Sequence, residues 1–134
     1  MRILLIEDEI FIRDLYEHIL SSAGIKVEVA SDGQEGIEKA KQPGIALVLL
    51  DIMLPKLNGI EVLKRLKADQ KTVYIPIVLL TNLGQADIVK LAFESGAQGY
   101  FLKVNINPED LIKFVNDFFK NPNLKMDYNT LNLD

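Results

Sequence analysis

Five short apolar runs alternate along this chain with stretches of helical period, and few folds accommodate such an alternation. The runs are RILLIE at 2–7, IKVEVA at 25–30, IALVLLD at 45–51, YIPIVLL at 74–80 and GYFLK at 99–103. Amphipathic stretches near 10–22, 33–42, 57–69 and 85–95 separate them, and a fifth at 108–120 follows the last. Strict alternation calls for parallel strands joined by right-handed crossovers. Runs apolar throughout, such as 47–50 and 77–80, call for burial on both faces of the sheet. The pattern therefore predicts an α/β protein, a three-layer (βα)5 sandwich. IKVEVA alternates instead, with Lys26 and Glu28 on one side, which places it at the edge of the sheet.

With 134 residues and 49% hydrophobic content, the chain has enough apolar surface for one domain with its own core. It has no cysteine, so disulfides and thiolate metal sites are excluded. No signal-peptide pattern follows Met1, and every apolar run falls far short of the roughly 20 residues of a spanning helix. A cytoplasmic protein with no membrane partner is expected. The net charge of −4 gives the domain as a whole no attraction for nucleic acid. Asp32-Gly33 and Ser95-Gly96 mark turns, Pro43-Gly44 ends the second helix, and Pro108 suits the first turn of the last. After Lys120 the periodicity stops, which predicts a domain over 1–120 and a tail or linker over 121–134 with no second domain.

In an open parallel sheet the functional crevice lies beyond the carboxyl ends of the strands. Here those ends carry Glu7-Asp8, Asp51, Thr81 and Lys103; only the edge strand lacks a chemically useful side chain. Three carboxylates gathered at one edge repel one another, and a cation is the natural remedy. Hard oxygen ligands without histidine or cysteine favour Mg2+ that keeps several waters. A carboxylate also serves as a nucleophile toward phosphorus, which makes Asp51 a candidate for an aspartyl phosphate. Lys103 would neutralise the transferring oxygens and the Thr81 hydroxyl would donate to one of them. Taken singly, each residue has a plainer role: Asp8 and Asp51 as caps, Thr81 as packing, Lys103 as a solvated charge.

The segments ILLIEDE, ALVLLDIMLPKLNGIEVLKRLK, IPIVLLT, ESGAQGYFLK and PEDLIKFV, in this order and spacing, resemble the receiver domain of two-component response regulators. The resemblance covers about residues 1–120 and implies a flavodoxin-like sheet of order 2-1-3-4-5. It implies Asp51 as phosphoacceptor, with Mg2+ held by Asp8 directly, by Glu7 through water, by Asp51 and by the Met53 backbone carbonyl. Thr81 and Lys103 would bind the phosphoryl group, and Thr81 and Tyr100 would form the switch. The implied donor is a histidine kinase or phosphotransfer protein, and the implied output surface is the fourth helix, fifth strand and fifth helix. As a monomer or a phosphorylation-dependent dimer, such a protein promotes only its own phosphorylation and dephosphorylation.

Several positions depart from the family pattern. Lys103 precedes Val104 where proline in a cis linkage is usual, and a cis bond to valine costs about 2.5–4 kcal/mol, so a trans linkage is expected. Asn82 stands where a small residue is common and is expected to narrow the phosphate pocket. Met53 and Leu83 flank the path of attacking water without orienting it, which predicts slow self-dephosphorylation. Ile10, Phe11 and Ile12 are consecutive, so one is expected to be exposed beside the acidic ends. The last helix carries an apolar arc wider than a minimal core stripe; core packing is the expected use of it, with cover by the tail or a partner or dimer face as the alternatives. His18, the only histidine, has no second imidazole to pair with, and Asn58-Gly59 reads as a loop without chemistry. Competing readings are a phosphate-independent pseudo-receiver, an aspartate-nucleophile phosphatase lacking the second acid at position 53, and a flavin carrier lacking a phosphate loop.

Overall fold

A computed structural model describes residues 2–82, 86–103 and 107–124. Its elements in chain order are β1 (Arg2–Ile6), α1 (Ile10–Ser22), β2 (Lys26–Ala30), α2 (Gly33–Ala40) and β3 (Ile45–Asp51). They continue as α3 (Gly59–Ala68), β4 (Ile77–Thr81), α4 (Ala86–Glu94), β5 (Gly99–Leu102) and α5 (Pro108–Lys120). The strands form one sheet in the order β2-β1-β3-β4-β5, every neighbouring pair parallel.

Strand periodicity divides the core in two. Leu4, Ile6, Val48, Leu50, Ile77 and Leu79 face α2, α3 and α4, where Val62, Leu63, Val89 and Phe93 cover them. Ile3, Leu5, Leu47, Leu49, Val78 and Leu80 face α1 and α5, under Tyr16, Leu20, Leu111, Val115 and Phe118. Each such fully buried side chain contributes roughly 1.5–3 kcal/mol, which explains why the central runs contain no polar residue before their ends.

Helix starts follow from local capping. The Asp32 carboxylate accepts from the Glu35 N–H at 2.8 Å, the Asn58 side chain from Glu61 at 3.0 Å and that of Asn107 from Glu109 at 2.9 Å. Asp32-Gly33 is therefore a helix start rather than an independent turn. The edge position of β2 agrees with its alternation: Glu28 pairs with Arg2 and Lys39, and the Lys39 ammonium donates to the Val29 carbonyl at 2.6 Å.

Three expectations need adjustment. The fourth strand begins at Ile77, not 74, because the Thr72 hydroxyl and the Thr72 and Val73 amides bond back to Leu66 and Asp69, making a turn that leaves Tyr74 81% exposed. The second and third helices are shorter than their periodic stretches, ending at Ala40 and Ala68. On α1, both Ile10 and Phe11 are exposed, because the inward arc runs through Ile12, Tyr16, Ile19 and Leu20. The wide arc of α5, by contrast, goes into the core as expected: Ile112, Phe114 and Phe119 pack against it together with Leu124. The Gln98 amide holds that last residue in place by donating to the carbonyls of Pro122 and Leu124 at 3.0 and 2.9 Å.

Candidate functional site

Register alone brings the polar strand ends into line. Ile6 pairs with Leu50, so the next residues, Glu7 and Asp51, sit side by side. Leu80 pairs with Asp51, and Thr81 with Leu102, so Thr81 and Lys103 extend the same row by one residue each. Strand parity then sorts them. Glu7, Asp51 and Lys103 follow the residues that face α1 and α5, whereas Thr81 shares the opposite face with Tyr100.

The Lys103 ammonium lies 2.8 Å from Glu7 Oε1 and 3.0 Å from Asp51 Oδ2. Carboxylate oxygens of Glu7, Asp8 and Asp51 lie within 4.8 Å of one another. Glu7 is fully buried, Asp51 is 2% exposed and Asp8 is open to solvent. Asp51 Oδ1 accepts from the Met53 N–H at 3.1 Å, which fixes the carboxylate plane, while the Met53 side chain points outward. The Glu7 contact with Lys103 is an ion pair rather than a well-directed hydrogen bond, and Glu7 Oε2 has no hydrogen-bond partner.

Burial, and next the neighbouring Asp51 carboxylate, push the Glu7 carboxyl up to about 8, against the lowering influence of Lys103. Burial works against the Lys103 charge, but the two acids outweigh it and raise the ammonium above its ordinary value. The site thus holds more negative charge than one lysine offsets, which favours a proton on Glu7. That shortage of positive charge, the orphaned buried Oε2 and an all-oxygen donor set fit a hard divalent cation.

The site also contains residues that periodicity did not single out. Gly59 begins α3 directly behind Asp51: a Cβ there would press into the Asp51 carbonyl oxygen and lie 2.6 Å from the Ile52 Cα. The Arg13 guanidinium donates to the Glu7 carbonyl at 3.2 Å. Of the predicted access and switch residues, Thr81 is buried with its hydroxyl donating to the Asn82 carbonyl at 3.2 Å, and Asn82 is exposed. Tyr100 is half-buried against the α2–α4 side of the core, and burial raises its hydroxyl pKa. Leu83 and the Lys103–Val104 linkage lie outside the described residues.

Residues 3–116 match the family model described as the response regulator receiver domain. The chain belongs to the response regulator receiver family. This receiver is 43% identical over 102 residues to the DNA-binding dual master transcriptional regulator RpaA of Synechocystis sp.. It is 40% identical over 102 residues to the alkaline phosphatase synthesis transcriptional regulatory protein PhoP of Bacillus subtilis. Each match takes in 76% of this chain but only 42% of the relative, so the receiver spans less than half the length of either. Among solved structures, a response regulator receiver domain protein from Clostridium thermocellum superposes with a TM-score of 0.82 at 29% identity, over 90% of this chain and 95% of that one. Among the described residues, no helix of the receiver is long and apolar enough to cross a membrane.

Proposed function

We propose that this receiver is a phosphorylation-dependent signalling switch that accepts a phosphoryl group on Asp51 from a histidine kinase or phosphotransfer protein. The observation that carries this reading is the Lys103 ammonium 3.0 Å from a nearly buried Asp51, with two further carboxylates alongside. An Asp51 carboxylate oxygen forms the new bond to phosphorus while the P–N bond of the donor phosphoimidazole breaks and its electron pair leaves on the imidazole. Met53 N–H holds the carboxylate in orientation, and Lys103, already paired with Asp51, meets the incoming phosphoryl oxygens as a point charge. Glu7, Asp8, Asp51 and the Met53 backbone carbonyl would hold Mg2+, which when bound supplies the positive charge that the acids lack.

Thr81 and Tyr100 share the face of the sheet opposite the carboxylates, a diagonal pair across β4 and β5, since Tyr100 pairs with Leu79. Drawing the Thr81 hydroxyl toward a phosphoryl group vacates space beside Tyr100 and biases the α4–β5–α5 surface toward a second conformation. An output partner reads that surface.

Incubation with acetyl phosphate and Mg2+ tests the reading: intact mass is expected to show one added phosphoryl group, lost in Asp51→Ala. No adduct from any donor would make the protein a phosphate-independent binding module. Met53 and Leu83 offer attacking water no orienting group, so the adduct is expected to outlast a minute in Mg2+ buffer. A lifetime of seconds by the same mass measurement removes that part of the proposal.

A further inference from the structure

Tyr16 is wholly buried on α1, where a residue of helical period four after Ile12 needs only to be apolar. A buried hydroxyl needs a partner, and the one it has among the described residues lies 87 positions away: Tyr16 Oη donates to the backbone carbonyl of Lys103 at 3.5 Å. The ring belongs to the α1/α5 side of the core, the face toward which Glu7, Asp51 and Lys103 lean. Its hydroxyl thus emerges directly beneath the acidic row.

We propose that Tyr16 is a positioning residue for Lys103, a tie from α1 that fixes the backbone at the end of β5 so that the ammonium reaches Asp51. The proposal rests on the reading of Asp51 as phosphoacceptor. Lys103 follows a strand of four residues at the edge of the sheet, with β4 as its sole strand neighbour among the described residues. The next residue is Val104, so no proline ring stiffens the exit from the strand. An anchor from another element supplies the missing constraint, and Tyr16 is the side chain that reaches the carbonyl. Burial first, then the negative charges of Glu7, Asp51 and Glu9, oppose loss of the phenolic proton. The hydroxyl therefore remains a donor throughout the working pH range. The 3.5 Å contact leaves room for the tie to tighten when Lys103 turns from two carboxylates to one phosphoryl group.

Tyr16→Phe in the full chain keeps the ring and removes the donor. Phosphorylation by acetyl phosphate with Mg2+ is expected to slow by about 2- to 10-fold, the span of one net hydrogen bond. In a Lys103→Ala background the same change is expected to add nothing, because the hydroxyl acts through Lys103. A Tyr16→Phe protein phosphorylated at the wild-type rate overturns the proposal, as does an equal further loss without Lys103. Selective 15N-lysine spectra give a readout independent of phosphorylation. The Lys103 ammonium should exchange its protons slowly in the wild type and faster in Tyr16→Phe. If the wild type takes up no phosphoryl group, the Asp51 reading fails by itself, and the tie stands or falls on the spectra: unchanged exchange in Tyr16→Phe refutes it.

Discussion

Asp51 and Lys103 face each other across 3.0 Å, yet the chain holds them in opposite ways. Asp51 ends a seven-residue central strand paired on both sides, and its carboxylate is fixed by an amide two residues on. A glycine eight residues on lets α3 start against its carbonyl. Lys103 follows a four-residue edge strand and is positioned by groups far away in sequence: Glu7, Asp51 and the Tyr16 hydroxyl. The carboxylate is built locally and rigidly, whereas the ammonium is placed by tertiary contacts. Such a division suits the proposed transfer, in which the carboxylate would wait in place and the ammonium would move from carboxylate to phosphoryl oxygen.

The sharpest way to break this comparison is Lys103→Ala. Removing one preorganised electrostatic partner is expected to slow phosphorylation of Asp51 by roughly 10²- to 10³-fold, measured as the rate of mass gain with acetyl phosphate. Retention of the wild-type rate would mean that Lys103 is a structural counter-ion only. Gly59→Ala probes the local side. All three nearest atoms are backbone and cannot swing away, so overpacking should cost about 1–3 kcal/mol in denaturant unfolding, accompanied by shifts in the Asp51 and Ile52 amide resonances. A loss confined to stability, with those resonances unmoved, would show that α3 does not brace Asp51.

Glu7 links the two sides, and its proton gives a smaller, graded test. Its folded-state pKa, about 8, lies above the ordinary 4.5, so the bound proton favours the folded state. This contribution is complete below pH 4.5 and is lost as pH rises through about 8. In chelator, stability from this group should fall by up to about 1.4 kcal/mol per pH unit inside that window. Glu7→Gln should flatten the profile, and in the wild type Mg2+ should bind more tightly as pH rises toward 8, with release of a proton. A pH-independent Mg2+ affinity would show that Glu7 is not protonated in the ion-free site.

Much of the fold and of the candidate site was legible because parallel sheets enforce two simple rules. Doubly buried strands must be apolar along their length, so LVLL and IVLL are unmistakable, and the first polar residue after each run must lie at the carboxyl edge. Glu7, Asp51 and Lys103 follow from counting. Tyr16 and Gly59 do not: one reaches across 87 positions and the other matters because a loop folds back on its own strand, so neither leaves a periodic trace. The start of β4 was misjudged because the hydroxyl of Thr72 makes a turn that no run of β-prone residues reveals. Two of Ile10, Phe11 and Ile12 are exposed where one was expected, since three consecutive apolar residues say that some face solvent without saying how many.

Lys39 has a consequence beyond the site. Ala30 turns its carbonyl toward β1, where Glu7 N–H takes it, so the carbonyl of Val29 points off the open margin of the sheet. The Lys39 ammonium already occupies that acceptor, with Glu28 and Glu35 drawn around it. A neighbouring chain that tried to join here as a sixth strand would have to dislodge a lysine and strand two carboxylates beside its own backbone. One side chain thereby guards this margin against sideways growth from one molecule into the next.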